Sequence, residues 1–387
     1  MNGFNKGREN MLKKSLSVIL AVIMLLSLCA CGCKHTYDRT TGKCTACGET
    51  CAHQWNALRG TCDTCKMTCA HEIGISEVKP CSTCGFKFET YKTTDLVGME
   101  TDFFRLPGYF ETQDCPEPGT LEKVYYTADS YSSGETYDKY VLVYLPYGYD
   151  QNDTSKKYNV VYFQHGNNST IDIIFSGKAL KMFDNIFYYT DIEPVIFVNT
   201  SFYSVIDDPT SKATDGLNGG EFEFHKEILQ DIVPLVESKY NTYTTSFDDE
   251  GLKASREHRA FTGYSRGGRC TWDMFMNALE YFKWWSPMSG GVSFEGSTQV
   301  AMEAFEKVKA AIDAHPGVDF FLFPASGGTN DRPEYIEQMA YFMKQTDYFS
   351  IGKDPSKNNF YYTIADYAHG DPCSPFYFYN SLQVFFK

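Results

Sequence analysis

The pentapeptide Gly263-Tyr264-Ser265-Arg266-Gly267 constrains the fold more than any other stretch of the chain. Arg259-Ala260-Phe261-Thr262 ahead of it reads as the end of a short buried strand, and Cys270 to Tyr281 behind it reads as a helix. A G-x-S-x-G motif between a strand and a helix lifts a serine hydroxyl clear of the backbone at the top of a sheet. The glycines permit strained dihedrals and leave room beside the hydroxyl. The helix that follows offers N–H groups and the positive end of its dipole to a developing oxyanion.

The surrounding sequence supplies the sheet that such a turn requires. Val124-Tyr125-Tyr126 and Tyr140 to Leu145 read as strands of β-rich composition. Val160 to Phe163 and Val195 to Val198 are short continuous apolar runs, as expected of central strands covered on both faces. Phe222 to Tyr240 reads as a helix with Ile228, Ile232, Val233 and Val236 on one face. Phe320 to Phe323 and Phe360 to Ile364 read as further strands, with helical patterns at 298–313 and 333–346. Strands alternating with helices predict an α/β domain, a mostly parallel sheet with helices on both faces.

A serine hydroxyl is a weak nucleophile until a base takes its proton and a third group orients the base. Outside the cysteine-rich segment the histidines are His165, His225, His258, His315 and His369. His369 follows the Phe360–Ile364 strand, where the α/β-hydrolase order places its histidine. Asp331 follows the Phe320–Phe323 strand; Asp319 precedes it, at the wrong end, and Asp371 is too near His369 in sequence to reach around the ring easily. The order Ser265, Asp331, His369 fits a catalytic triad of the α/β-hydrolase fold. His165-Gly166-Asn167-Asn168 follows the Val160–Phe163 strand. The Asn167 backbone N–H there, with that of Arg266, is the expected oxyanion pair. His165 is read as shaping this loop by hydrogen bonding, and His225, His258 and His315 as structural or exposed.

The N-terminus reads as a targeting segment. Lys13 and Lys14 precede an apolar run from Leu16 to Leu28, too short for a comfortable membrane span. It ends in Leu28-Cys29-Ala30-Cys31-Gly32, which resembles a bacterial lipobox with cleavage before Cys31 and lipid on its thiol. An ordinary secretory signal cut nearby is the alternative; both imply export, and no later stretch could span a bilayer. The net charge is −14, and removing residues 1–30, which carry +3, leaves −17. Such a chain is a poor partner for nucleic acid or anionic lipid surfaces, so contact with a membrane is expected only through the lipid.

Eleven of the 14 cysteines lie between Cys29 and Cys84, and the Cys-x-His pairs begin at 33, 51 and 69, a period of 18. Each pair is followed by Cys-x-x-Cys, giving Cys33, His35, Cys44 and Cys47, then Cys51, His53, Cys62 and Cys65, then Cys69, His71, Cys81 and Cys84. Three thiolates and one imidazole are the ligand set of a closed tetrahedral zinc site. Units this small cannot bury a core, so the metal would supply their folding energy. A disulfide scaffold is the alternative in an exported chain, but a disulfide needs no imidazole in register with its cysteines. A different register, grouping Cys44, Cys47, Cys51 and His53, would leave the two ends of the array to find each other.

From about Gly119 to Lys387 the chain resembles the feruloyl and acetyl-xylan esterases of carbohydrate esterase family one, the esterase D-like group. The resemblance is carried by Gly119-Thr120-Leu121-Glu122-Lys123-Val124, Gln164-His165-Gly166, Asp231-Ile232-Val233-Pro234, Gly263-Tyr264-Ser265-Arg266-Gly267-Gly268, Gly328-Thr329-Asn330-Asp331 and His369-Gly370-Asp371, in that order. It implies the α/β-hydrolase fold, with Ser265 as nucleophile, Asp331 as acid and His369 as base. It also implies no catalytic cofactor, and acylated plant polysaccharide or oligosaccharide as substrate. The family usually has methionine where this chain has Arg266, and tryptophan is common where it has Cys373 and Pro375. An acyltransferase of the same fold and a non-catalytic surface carbohydrate-binding protein are the alternatives. The repeats resemble cysteine-rich ribbon modules of bacterial surface proteins. The expected organisation is a lipoprotein signal over 1–30, zinc repeats over 31–86, a linker over 87–118 and an esterase domain over 119–387.

Overall fold

The computed structural model describes residues 35–38, 41–56, 61–67, 82–85, 89–93, 101–106, 109–129, 135–175, 177–204, 223–327, 331–365, 367–370 and 374–387. The signal segment with Cys31, and Cys33, Cys69, His71 and Cys81 of the repeats, lie outside the described residues. The chain divides into two compact units, residues 1–72 with 81–86, and residues 87–387 with 73–80. Among the described residues no helix is long and apolar enough to cross a membrane.

The small unit is built from tight turns. Strands β1 (Trp55–Asn56) and β2 (Thr61–Cys62) pair antiparallel, with Trp55 opposite Cys62. Within the preceding repeat Tyr37 bridges Cys44 and Lys43 bridges Thr50. Each short ladder folds a Cys-x-x-Cys turn back toward the Cys-x-His segment.

In the large unit β3 (Glu89–Thr93) and β4 (Thr101–Arg105) form an antiparallel pair. The main sheet holds β5 (Thr120–Asp129), β6 (Thr136–Leu145), β7 (Val160–Gln164), β8 (Ile196–Thr200), β9 (Arg259–Tyr264), β10 (Trp284–Met288), β11 (Phe321–Leu322), β12 (Ala325–Ser326) and β13 (Thr363–Ile364). Its order is β13-β12-β10-β9-β7-β8-β6-β5, with β11 also paired to β10. From β8 through β13 neighbouring strands run parallel; β6 and β5 add an antiparallel edge. Alternating side chains feed two cores. Val141, Val143 and Leu145 of β6 face one, Tyr140, Leu142 and Tyr144 the other. The first core is covered by Ile228, Ile232, Val233 and Val236 and by the Arg266–Ala278 helix; the second by the Gly177–Tyr189 and Ser374–Leu382 helices. This is the α/β-hydrolase architecture.

Residues 87–118 were expected to form a linker, and here the structure differs. Phe103, Phe104, Leu106 and Phe110 are buried in the second core. The Phe104 N–H donates to Asn380 Oδ1 at 2.8 Å, and Asn380 Nδ2 donates to the Phe104 carbonyl at 2.8 Å. Asn185 Nδ2 likewise donates to the carbonyls of Phe110 and Gln113 at 3.0 and 2.8 Å. Beyond the short β3–β4 ladder, the stretch is tied to the domain through distant side chains, which leave no periodic pattern in its sequence. Strand β10 was also unread, since Pro287 within it argues against a central strand. The expected Phe320–Phe323 strand is β11, and a second short strand, β12, follows Pro324.

Candidate active site

Strand β9 ends at Tyr264 and the next helix starts at Arg266, so Ser265 alone makes the turn, at φ 59° and ψ −115°. A non-glycine residue held there costs on the order of 1–3 kcal/mol, which the surroundings must offset. The Ser265 N–H donates to the Met288 carbonyl at 2.8 Å, and its carbonyl accepts the Arg269 N–H at 3.1 Å. Close packing demands the glycines: a Cβ on Gly267 would stand 2.0 Å from the Gln164 carbonyl oxygen, and one on Gly263 2.3 Å from that of Gly267.

The Ser265 hydroxyl lies 2.8 Å from His369 Nε2, and His369 Nδ1 lies 2.5 Å from Asp331 Oδ1. The other Asp331 oxygen accepts the Gly327 N–H at 2.9 Å. Burial opposes ionisation of Asp331, but hydrogen bonds from His369 and Gly327 outweigh it and hold the carboxyl below its usual value. The His369 ring stacks on Tyr264 at 5.5 Å, and the Tyr264 hydroxyl accepts the Gly370 N–H at 2.8 Å. Asp319 is elsewhere, with Oδ1 2.6 Å from Arg256 Nη1 and Oδ2 2.8 Å from Lys283 Nζ. Asp371 lies outside the described residues.

The loop after β7 abuts the serine, a Cβ on Gly166 falling 3.2 Å from Ser265 Cβ. His165 is buried behind this loop, with Nδ1 2.8 Å from the Gly166 carbonyl and Nε2 2.8 Å from Ser201 Oγ. A carbonyl only accepts, so Nδ1 carries the proton and Nε2 accepts from the Ser201 hydroxyl. Burial pushes the His165 pKa down to about 4, so the ring is neutral at pH 7. Asn167 lines the same cavity as Ser265, and Arg266 opens the helix beside it. Sequence reasoning missed the support of this loop by Ser201, Phe202 and Tyr203. They follow β8 at the carboxyl ends of the strands, where α/β sheets place their binding loops, and that position is the signal that could have found them.

Ser265 and His369 open into a cavity of about 330 Å³. Its apolar walls are Phe163, Ile173, Ile174, Ala179, Tyr264 and Pro375, and Asn167, Asn168 and Ser169 add polar groups. That is the usual make-up of a small-molecule site.

The small unit brings together a second set of groups. Cys51, His53, Cys62 and Cys65 place one ligand atom each within 4.8 Å of one another, as do His35, Cys44 and Cys47. Cys51 Sγ is 3.7 Å from Cys62 Sγ, and Cys65 Sγ is 3.3 Å from His53 Nδ1. Tetrahedral zinc, with ligands at about 2.0–2.3 Å, sets ligand atoms roughly 3.3–3.8 Å apart, so the donors fit. Burial and the neighbouring Cys65 and Cys62 thiols push Cys51 up to about 12. A cation is what would let three thiolates share this space. Cys84 of the third repeat is buried, but the rest of its set lies outside the described residues.

The nucleophile turn, the Ser–His–Asp contacts and the sheet define a serine hydrolase of the α/β-hydrolase class. The chain belongs to the esterase family described as "Putative esterase", whose profile matches residues 135–367. It is a serine carboxylic-ester hydrolase. It is 34% identical over 278 residues to endo-1,4-beta-xylanase Y of Acetivibrio thermocellus, covering 70% of this chain and 24% of that protein. It is 29% identical over 177 residues to an endo-1,4-beta-xylanase/feruloyl esterase of Xylanibacter ruminicola, covering 45% of this chain and 22% of that one. The chain thus spans under a quarter of the length of these relatives. A mutant of the feruloyl esterase module from Clostridium thermocellum, complexed with sinapinate, superposes with TM-score 0.62 at 29% identity, covering 78% of this chain and 96% of that one.

Proposed function

We propose that the chain is an exported esterase that removes feruloyl groups from plant cell-wall polysaccharide such as xylan. The observation that carries this is the Ser265–His369 hydrogen bond of 2.8 Å at the end of a largely apolar cavity of about 330 Å³. An acetyl group would leave most of such a cavity unfilled, whereas a phenolic acyl group would be enclosed by Phe163, Ile173 and Ile174. The xylanase and feruloyl esterase relatives support the same substrate class.

In this mechanism His369 Nε2 takes the Ser265 proton as Oγ attacks the ester carbonyl, while Asp331 holds Nδ1–H and stabilises the imidazolium. The backbone N–H groups of Asn167 and Arg266 donate to the oxyanion. As the C–O bond breaks, His369 passes that proton to the departing sugar oxygen, which leaves as a hydroxyl. Water, deprotonated by His369, hydrolyses the acyl-enzyme and releases the acid.

Export rests on the Lys13–Leu28 signal, with anchoring through lipid on Cys31. In the repeats Cys33, His35, Cys44 and Cys47 would hold one zinc, Cys51, His53, Cys62 and Cys65 a second, and Cys69, His71, Cys81 and Cys84 a third. Bound zinc supplies folding energy to units without a core of their own. Turnover of methyl ferulate against acetylated xylan tests the acyl specificity. Faster deacetylation of xylan would overturn the feruloyl assignment.

A further inference from the structure

The two proposed oxyanion donors lie on different elements, and one side chain ties them together. Arg266 supplies its backbone N–H from the first position of the Arg266–Ala278 helix. Its guanidinium Nη1 donates to Asn167 Oδ1 at 3.1 Å. The same guanidinium lies over the Phe202 ring, 5.2 Å from the centroid, which fixes its plane. Asn167 Oδ1 also receives the Tyr203 hydroxyl at 3.4 Å, and that hydroxyl accepts the Asn168 N–H at 3.1 Å. Asn168 is held at φ 53°, a left-handed conformation that a loop keeps only when its surroundings impose it.

We propose that Arg266 is a positioning residue for the oxyanion hole, its side chain clamping the Asn167 loop at the distance its own N–H requires. The proposal rests on the assignment of the Asn167 and Arg266 N–H groups as the oxyanion donors. The physical need is clear. Such a hole works by donors fixed before charge develops, and a loop free to drift loses that preorganisation. A methionine at 266 keeps the backbone N–H of the helix but cannot hold Asn167. The clamp should therefore matter in the transition state and little in substrate binding.

The test uses the full-length protein, methyl ferulate, and a boronic acid that forms a tetrahedral adduct on Ser265. Arg266→Met and Asn167→Ala should each lower kcat about 5- to 30-fold, with KM changed less than about twofold. The double variant should be no worse than the weaker single by more than about twofold, because each single already removes the Arg266–Asn167 bond. Boronate affinity should fall by the same factor as kcat, and Arg266→Lys should recover part of both. A purely structural role would lower the melting temperature without this split. Should Arg266→Met fail to fold, Asn167→Ala and Arg266→Lys read the same clamp.

Multiplicative losses in the double variant would overturn the clamp. So would an unchanged kcat with KM raised only for substrates bearing carboxylates, which would make the guanidinium a substrate contact. Asn167→Pro deletes the N–H itself and separates the two ideas. If it folds and turns over normally, the oxyanion assignment fails. If it is crippled while Arg266→Met is silent, only the clamp fails.

Discussion

Ser265 Oγ and His369 Nε2 meet at 2.8 Å across 104 residues of sequence, and neither is held by the other alone. Ser265 is fixed by its turn, and His369 by Asp331 and the Tyr264 ring. The hydrogen bond therefore stands ready before substrate arrives, and removing one partner should leave the other in place.

Ser265→Ala should lower kcat on methyl ferulate by about 10⁴-fold or more in a folded protein. Ser265→Gly should be as inactive, yet melt higher than Ser265→Ala, because glycine adopts φ 59° and ψ −115° at less cost. Equal melting temperatures would show that the turn stores no strain.

Asp331→Asn keeps the shape of the acid but no longer favours the Nδ1–H tautomer of His369. Its kcat should fall roughly 10²- to 10⁴-fold with KM little changed. Asp319 faces Arg256 and Lys283 instead, so Asp319→Asn should leave kcat within about twofold. The reverse pattern in steady-state kinetics would remove Asp331 from the triad.

His165 gives stability a pH dependence of known sign. Its folded-state pKa is about 4 against an ordinary 6.5, so between these values the unfolded chain binds the proton and the folded one does not. The contribution is complete above about pH 6.5 and is lost as pH falls toward 4, up to about 3 kcal/mol. Burial also lowers His258, which acts in the same direction. Asp331, held below the usual carboxylate value, acts only at lower pH. Urea midpoints at pH 7, 5.5 and 4 should fall steeply for the wild type and less for His165→Gln.

The full-length protein should carry zinc in native mass spectrometry, and Cys62→Ser should lose one ion. Every described residue lining the cavity belongs to the large unit, so chelator should strip the metal and leave methyl ferulate hydrolysis intact. Disulfides in place of zinc would refute the ligand assignment.

Much of this was legible in the sequence for local reasons. Covered central strands such as Val160–Gln164 are continuous apolar runs, and chain order singled out Asp331 and His369, which the fold brings to Ser265. What stayed hidden depends on tertiary partners. Trp284–Met288 carries a proline that disguises a central strand. Phe104 and Phe110 stand out in no local pattern because the side chains that bond their backbones are Asn380 and Asn185. Tyr203 supports the Asn167–Asn168 loop through its hydroxyl, which no local pattern announces.

The reciprocal bonds between Phe104 and Asn380 also set an order of events during synthesis. The ribosome delivers Phe104 276 residues before the side chain that satisfies its backbone. Until the Ser374–Leu382 helix emerges, Phe103 lacks Tyr377, against which its ring packs edge-on at 5.8 Å. A nascent or truncated chain therefore displays an aromatic cluster that the finished enzyme conceals. Chaperones and proteases that survey exposed apolar surface can thus distinguish incomplete copies from complete ones.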